Sequence, residues 1–238
     1  MMKQALLKLW EKYRGQMATE ELNGILERGI CYSEIKKAHR ILVTGMNPSF
    51  RKDDPACNEK VVRFNYQDVV KGGEDHYFTS FDKLFPAEFR QEVAYLDLLN
   101  IRETEQNTTW KFIKDSKGLE LFAENLRLTQ LFIEQVVRPQ LIMVKNKGAW
   151  GLWGKNATAE ENIWMGYRFE RVAGFDALPC GEVLRITSLI DHPDRVTYND
   201  LKETNLRGTL VLFTQHFQYC KAEERPTPEL IAELCKAI

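Results

Sequence analysis

The sequence predicts an α/β fold: a three-layer sandwich in which helices flank a mainly parallel central sheet of about four strands, to which a β-hairpin could be added. Short apolar runs alternate along the chain with amphipathic helical stretches, and this order favours a parallel sheet covered by helices. The length of 238 residues is usual for one such domain. Because no repeat, low-complexity tract or linker interrupts the chain, residues 1–238 are interpreted as a single domain.

The first predicted elements are two helices and a strand. Apolar residues between positions 6 and 17 recur mostly three and four residues apart, which predicts an amphipathic helix. A second helix is expected over residues 33–39. The apolar run at residues 41–44 ends at Gly45 and predicts a buried strand that leads into a tight loop.

The middle of the chain begins with a polar segment at residues 50–73, whose length is typical of a functional loop. The apolar run at residues 93–99 predicts a second strand. Residues 119–137 carry apolar side chains at helical spacing and predict a helix that ends before Pro139. Residues 141–144 then predict a third strand.

The C-terminal part contains the remaining strands. Residues 168–172 and 183–189 are expected to form strands, arranged as a hairpin, and residues 209–213 form the last predicted strand. Thr227 followed by Pro228 is typical of a helix start, with an N-cap and a proline in the first turn.

Composition limits the classes of function. Lysine and arginine number 33 against 34 aspartates and glutamates, so no overall positive charge attracts nucleic acid, although a local basic patch remains possible. The first residues lack the long apolar stretch that a signal peptide would show, and no apolar run approaches the ~18 residues of a membrane span. Five scattered cysteines without a CxxC pair favour free thiols. We therefore expect a cytoplasmic protein with no membrane partner; a monomer is favoured, although the oligomeric state stays open.

Three of the predicted strands end in polar or turn-forming residues. Asn47 lies in the turn after the first strand, Asn100 follows the second, and His216 follows the last. Because ligands of such sheets bind outside the carboxyl ends of the strands, these side chains are expected at one edge. Each also has a structural interpretation: a Gly-x-Asn-Pro-Ser turn, a strand terminator and a hydrogen-bonded histidine. Together they are a more specific pattern than any one alone.

These strand ends resemble, in order, the motifs of the uracil-DNA glycosylase superfamily. Residues 41–49 resemble its first motif, a strand followed by Gly-x-(Asp/Asn)-Pro, and residues 97–100 are similar to the Leu-Leu-Leu-Asn strand end of its best-known branch. Residues 141–150 resemble the third strand with its Gly-x-x-Ala turn, and residues 210–216 lie where the last motif, His-Pro-Ser, would be. The resemblance covers residues 41–220.

The sequence departs from the family pattern at two motifs. The last motif is His216-Phe217-Gln218, without Pro-Ser, and the His-Pro pair at His192 is a rival for the same role. We favour His216 because it directly ends the strongest late strand. The first motif carries Asn47 where the most active branch has an aspartate, which lowers the expected rate.

The resemblance implies catalytic and base-reading roles. His216 would stabilise negative charge on the leaving base, and Asn47 would place a water near C1′ of the sugar. Asn100 would read the Watson–Crick edge of an extruded pyrimidine.

Further residues would hold the base and the DNA. Phe78 would stack on the base, beside Met46, although Phe78 and Phe81 also have the spacing of core residues on a helix. The phosphate backbone would be held beside the first loop by Pro48, Ser49, Arg51 and Lys52.

No cofactor or metal is expected. The acidic and histidine groups at residues 74–76 and 191–194 match no recognised metal-ligand spacing. The chain also lacks dinucleotide, Walker-type and nucleophile-elbow fingerprints.

The predicted function is removal of uracil or a related damaged base from DNA by an N-glycosidase that flips the base. One alternative is a non-catalytic protein of the same fold that binds a nucleotide or nucleic acid, which the missing Pro-Ser and the near-neutral charge favour. Another is a different α/β enzyme that shares only the strand-end loops.

Overall fold

The computed structural model describes residues 2–157, 163–175, 178–216 and 220–238. Its strands are β1 Ile30–Ser33, β2 Ile41–Gly45, β3 Val61–Phe64, β4 Val93–Asp97, β5 Leu141–Val144, β6 Tyr167–Arg171, β7 Gly181–Leu189 and β8 Leu210–Thr214. Its α-helices are α1 Met2–Tyr13, α2 Glu20–Leu26, α3 Tyr66–Gly72, α4 His76–Asp82, α5 Gln106–Thr109, α6 Ser116–Phe132, α7 Trp150–Trp153 and α8 Pro228–Lys236.

The described strands form a mixed sheet of six, in the order β4-β2-β5-β8-β7-β6, and a separate parallel pair, β1-β3. Neighbours among β4, β2, β5 and β8 are parallel, whereas β7 is antiparallel to β8 and to β6. The predicted α/β class and hairpin are confirmed. The main sheet is larger than predicted because the hairpin continues it instead of standing apart.

The parallel strands bury both of their faces. In β2, Ile41 and Val43 belong to one apolar cluster, which also contains Ile231 of α8. Leu42 points to the other face and belongs to a second cluster with Leu126 of α6. This arrangement explains why these strands read in the sequence as continuous apolar runs without polar alternation.

The helix predicted over residues 33–39 is wrong. Ile30–Ser33 instead forms β1, which pairs in parallel with Val61–Phe64, and no helix follows it among residues 34–40. The partner strand lies about thirty positions further along the chain, so local spacing does not reveal the pairing.

The segment at residues 50–73 is also more ordered than a simple loop. It contains a 3₁₀ turn at Pro55–Asn58, then β3 and α3. The side chain of Asn65 caps α3 by accepting from the backbone N–H groups of Gln67 and Asp68, and Gly73 ends the helix with a φ of +74°. These capping residues were present in the sequence and the prediction overlooked them.

The other helix predictions agree with the structure. α1 begins earlier than its predicted apolar stripe, and α6 continues through a π-helical turn, Ile133–Val137, to the predicted end before Pro139. Thr227 accepts a hydrogen bond from the backbone N–H of Leu230 and caps α8. No helix in the described part of the chain is long and apolar enough to cross a membrane.

Candidate functional site

A cavity of about 280 Å³ opens at the carboxyl ends of the parallel strands. Four strands contribute to its wall: Asn47 follows β2, Asp97 ends β4, Lys145 follows β5 and His216 lies beyond β8. The parallel register brings these ends together, because Gly45 pairs with Asp97 on one side and Thr44 with Val144 on the other. The edge predicted from the sequence is therefore where the cavity lies.

Lys145 is the most buried cation of this cavity, with 1 % of its surface exposed. Its backbone N–H continues the sheet by donating to the carbonyl oxygen of Thr44 at 3.1 Å. Its Nζ lies 4.0 Å from the ring centroid of Tyr77, 4.9 Å from that of Phe81 and 5.2 Å from that of Tyr95. No described residue forms a hydrogen bond with Nζ.

The surroundings of Lys145 shift its titration. Burial lowers the pKa of Lys145 to about 7, against the opposing attraction of Asp97 and Asp75. A buried ammonium without a hydrogen-bond partner is costly in a folded protein and points to an anion or a carbonyl oxygen as its missing partner.

Asp97 is a carboxylate in the wall of the same cavity, and its charge attracts that of Lys145. Its Oδ1 accepts a hydrogen bond from the hydroxyl of Tyr95 at 2.9 Å. Burial raises the pKa of Asp97 to about 6, while the Tyr95 hydrogen bond and the charge of Lys145 act in the opposite direction. Gly45 makes this placement possible, because a Cβ there would lie 2.1 Å from Oδ1 and 2.3 Å from the hydroxyl of Tyr95.

Asn47 is fixed by the segment that follows β4. Its Nδ2 donates to the carbonyl oxygens of Ile101 at 3.3 Å and Glu103 at 2.5 Å. Its Oδ1 is buried, and no described residue donates a hydrogen bond to it. The side chain is therefore held in one orientation with an acceptor left for a water or a ligand.

His216 stacks on Tyr77, with ring centroids 5.8 Å apart and planes inclined by 10°. Its Nε2 lies 3.4 Å from the hydroxyl oxygen of Tyr77. Burial and the positive charge of Lys145 lower the pKa of His216 to about 4, so the imidazole is neutral at pH 7. Phe217 and Gln218, which complete the last motif, lie outside the described residues.

Phe78 lies in the cavity wall and in an aromatic cluster at once. Its ring centroid is 5.0 Å from that of Tyr95 and 5.0 Å from that of Phe64. Asp75 caps α4 by accepting from the backbone N–H groups of Tyr77 and Phe78, which fixes where both rings enter the wall. Phe78 therefore packs in the aromatic cluster and also borders the cavity.

No family model matches the sequence, and no curated protein matches it either. The function therefore has to be argued from the geometry of the site.

The cavity brings together most of the residues that the sequence predicted. Those in its wall are Met46, Asn47, Pro48, Ser49, Arg51, Phe78 and His216. Ser49 and Arg51 are exposed at the rim, whereas Met46 is buried. Lys52 is exposed and His192 half-buried, and neither lies in the wall.

Asn100 also lies outside the cavity wall, contrary to the base-reading role expected from the sequence. It is 3 % exposed, and its side chain is used within the fold. Its Nδ2 donates to the carbonyl oxygen of Cys31 at 2.7 Å, and its Oδ1 accepts from Nδ2 of Asn125 at 2.9 Å. Because β4 ends at Asp97, the strand presents Asp97 to the cavity and Asn100 to the core.

The sequence analysis missed Lys145 and did not treat Asp97 as a site residue. Both follow the rule that identified Asn47 and His216, since each lies where a predicted parallel strand ends. A lysine after an apolar run is usually solvated, and only the packing of Tyr77 and Tyr95 around it reveals its burial.

The cavity has the chemistry of a site for a planar polar ligand. It offers aromatic rings for stacking, a cation and a carboxylate for a polar edge, and a neutral imidazole. Within the described residues, no three His, Cys, Asp or Glu side chains converge into a group that could hold a metal ion.

Proposed function

We propose that this protein is an N-glycosidase that removes uracil or a related damaged base from DNA, as a divergent member of the uracil-DNA glycosylase superfamily with its three-layer sandwich fold. The supporting observation is that Asn47, Phe78 and His216, which the resemblance singles out, border one cavity at the carboxyl edge of the sheet. The reaction would take place on a nucleotide flipped into that cavity.

Asn47 suits the task of positioning water. Cleavage of the glycosidic bond generates an oxocarbenium-like sugar, and a water must be held near C1′. The unpaired Oδ1 of Asn47 can accept a hydrogen bond from that water, while the bonds to Ile101 and Glu103 keep the amide from turning.

His216 suits the task of stabilising the leaving base. The base departs with negative charge on its oxygen, and a neutral imidazole can donate an N–H to that oxygen. Because the pKa of His216 is about 4, the imidazole is already neutral throughout the neutral pH range. The expected role is therefore donation of a hydrogen bond without transfer of a proton.

The size and walls of the cavity suit a single base. The volume of about 280 Å³ lies just below the usual range of ligand pockets, roughly 300 to 1,000 Å³. Stacking on an aromatic ring such as Phe78 contributes about 1–3 kcal/mol per base and offsets the cost of flipping. At the rim, Ser49 and Arg51 are exposed and can contact phosphate, with Lys52 next in the chain.

The second candidate is a non-catalytic protein that binds a nucleotide or nucleic acid. The net charge of −1 favours it, since tight DNA binding usually rests on many phosphate contacts. The same cavity would then hold a base without cleaving its bond to the sugar.

The test is base release from labelled oligonucleotides that contain uracil in a single strand, opposite guanine or opposite adenine. Strand breaks after alkali treatment are expected with the wild-type protein. His216→Ala should lower the single-turnover rate by about 10²–10³-fold, and Asn47→Ala should lower it by about 10²-fold or more. Matched controls are His192→Ala and Asn199→Ala, which lie outside the cavity wall and should retain the rate.

Release that persists in His216→Ala and Asn47→Ala would contradict the assigned roles. Binding of the oligonucleotides without release on any of the substrates would support the non-catalytic candidate instead.

A further inference from the structure

We propose that Asp97 and Lys145 form the base-reading pair of this cavity and select a base edge in which a ring N–H stands beside a carbonyl. This inference rests on the proposed function, because it concerns the base that enters the same cavity. It assigns the edge-reading task to two side chains that the sequence had not suggested, in place of Asn100.

The sheet places Asp97 and Lys145 at the ends of β4 and β5, the two strands that flank β2. Asp97 pairs in register with Gly45 of β2, and the backbone of Lys145 bonds to Thr44 on the opposite side of the same strand. Both side chains border the cavity, and both contact Tyr95: Asp97 by a hydrogen bond of 2.9 Å, and Lys145 with its Nζ 5.2 Å from the ring centroid. An acceptor and a donor therefore border the same cavity.

Lys145 lacks a hydrogen-bond partner for its ammonium in the part of the chain that the structure describes. Its ammonium has three donors and no acceptor, is 1 % exposed, and makes no hydrogen bond there. The ammonium lies over the rings of Tyr77, Phe81 and Tyr95, which offer it their π faces. None of the three residues accepts a hydrogen bond from it. A carbonyl oxygen of a bound base would supply the missing acceptor.

Asp97 supplies the complementary group. An ionised carboxylate only accepts hydrogen bonds, and one bond from Tyr95 leaves it capacity for a second donor. A ring N–H that points at Asp97 would place the neighbouring carbonyl of the same base toward Lys145.

Uracil carries this pattern, because its N3–H lies between two carbonyls. Cytosine carries the opposite pattern, since its N3 is an acceptor and the adjacent amino group is a donor. In the same pose cytosine would set its lone pair against the carboxylate and its amino group against the ammonium. The pair would thus reject the normal base from which uracil arises, through two unfavourable contacts.

The first test measures binding of three N1-blocked bases to the full chain by isothermal titration calorimetry: 1-methyluracil, 1,3-dimethyluracil and 1-methylcytosine. The methyl group on N1 stands where the sugar would be, so that only the N3 edge can present a ring N–H. 1-Methyluracil is expected to bind at least tenfold more tightly than 1,3-dimethyluracil, which lacks the ring N–H, and than 1-methylcytosine. Asp97→Ala and Lys145→Met should each remove this preference. The matched control is Lys155→Met, because Lys155 also lies over an aromatic ring, at 4.4 Å from Trp150, but outside the cavity wall.

Folding of each variant is checked by its near-ultraviolet circular dichroism. Equal binding of 1-methyluracil and 1,3-dimethyluracil by the wild type, no measurable binding of 1-methyluracil, or a preference that survives in both folded variants would overturn the pair. Loss of the preference in both variants and its retention in Lys155→Met would support it.

A second measurement separates this inference from the proposed function. Oligonucleotides with uracil or with N3-methyluracil at one position are compared in the base-release assay. Release of both at equal rates would overturn the base-reading pair while the glycosidase proposal stands. Selective binding of 1-methyluracil without release from any oligonucleotide would overturn the glycosidase proposal and support the pair.

Discussion

The ammonium of Lys145 lies 4.0 Å from the ring centroid of Tyr77, and the ring of Tyr77 in turn stacks on His216. A buried cation therefore sits one aromatic ring away from the histidine to which we assign catalysis. This relationship has an electrostatic consequence: the charge of Lys145 disfavours a second positive charge on the imidazole.

Removal of that charge should raise the pKa of His216. In Lys145→Met we expect the pKa of His216 to move upward from about 4, yet to stay below 6.5, because burial is the larger cause of its depression. The measurement is an NMR titration of the histidine ring resonances, with His216→Ala used for assignment. Lys155→Met is the control and should leave the titration unchanged, and an unchanged pKa in Lys145→Met would contradict the coupling.

The same substitution should stabilise the protein. Lys145 carries a buried charge without a hydrogen-bond partner among the described residues, and methionine has a similar shape without the charge. Desolvation outweighs the attraction of Asp97 and Asp75 in lowering the pKa of Lys145. We therefore expect Lys145→Met to raise the free energy of unfolding at pH 6 by about 1–4 kcal/mol, the range found when buried ion pairs are replaced by apolar side chains. Denaturant unfolding measures this. A stabilised variant that no longer binds uracil would show that the lysine is kept at a cost to stability.

The stability difference should depend on pH in a defined direction. Lys145 has a pKa of about 7 in the folded state against an ordinary value of 10.5, so its burial costs the most below pH 7, where both states carry the proton. Between pH 7 and 10.5 the unfolded chain binds more protons than the folded one, and stability rises with pH. The advantage of Lys145→Met over the wild type should therefore shrink across this window.

Several other charged or titratable groups face Lys145. They are Asp97, Asp75, Tyr77, Tyr95 and His216. Among them Asp97 acts in the opposite direction at lower pH. Its pKa is raised in the folded state, so the folded chain binds more protons than the unfolded one between pH 3.8 and about 6, and stability falls as the pH rises through this range. The difference between the two proteins from pH 7 to about 9 isolates the lysine, because the raised pKa values of Tyr77 and Tyr95 affect stability above their ordinary value of 10.0. An advantage that grows with pH there would contradict this account.

Gly45 should be intolerant of even one methyl group. A Cβ at this position would lie 2.1 Å from Oδ1 of Asp97, so Gly45→Ala must displace the carboxylate or the strand. We expect a loss of about 1–3 kcal/mol in the free energy of unfolding, as for other overpacked sites, together with weaker binding of uracil. Gly72→Ala is the matched control, because a Cβ at that helical glycine meets no heavy atom within 4 Å. Equal stability and equal uracil binding in the two variants would contradict the close approach at Gly45.

Much of the fold follows from local pattern, and much of the site does not. The apolar runs of β2, β5 and β8 and the capped start of α8 could be predicted because each signal lies within a few residues. The pairing of β1 with β3 could not, since it joins strands far apart in the chain.

The site divides in the same way. Asn47 and His216 were predicted from the ends of their strands, and both border the cavity. Lys145 was missed because its environment comes from Tyr77 and Tyr95, on other elements. Asn100 was assigned to the ligand because its partner, Asn125, lies 25 positions away on α6 and is invisible to local pattern.

Asn100 should therefore act in folding and not in recognition of the base. Asn100→Ala removes the side-chain hydrogen bonds to the carbonyl oxygen of Cys31 and to Nδ2 of Asn125, and these two groups are left unpaired. The bond from the backbone N–H of residue 100 to Oδ1 of Asn125 remains. We expect the free energy of unfolding to fall by about 2–4 kcal/mol, the cost of two buried groups left without partners. The exposed Asn199→Ala is the control and should change stability by less than about 0.5 kcal/mol.

Binding distinguishes this structural role from the one suggested by the resemblance. Under conditions in which Asn100→Ala is folded, it should keep the preference for 1-methyluracil over 1,3-dimethyluracil, since Asp97 and Lys145 are unchanged. A double-mutant cycle with Asn125→Ala should give a coupling of roughly 0.5–3 kcal/mol, because the two amides contact each other directly. If Asn100→Ala were as stable as the wild type and yet lost the preference for uracil, Asn100 would have to turn into the cavity when a base binds. The assignment of base reading to the end of β4 would then pass from Asp97 back to Asn100.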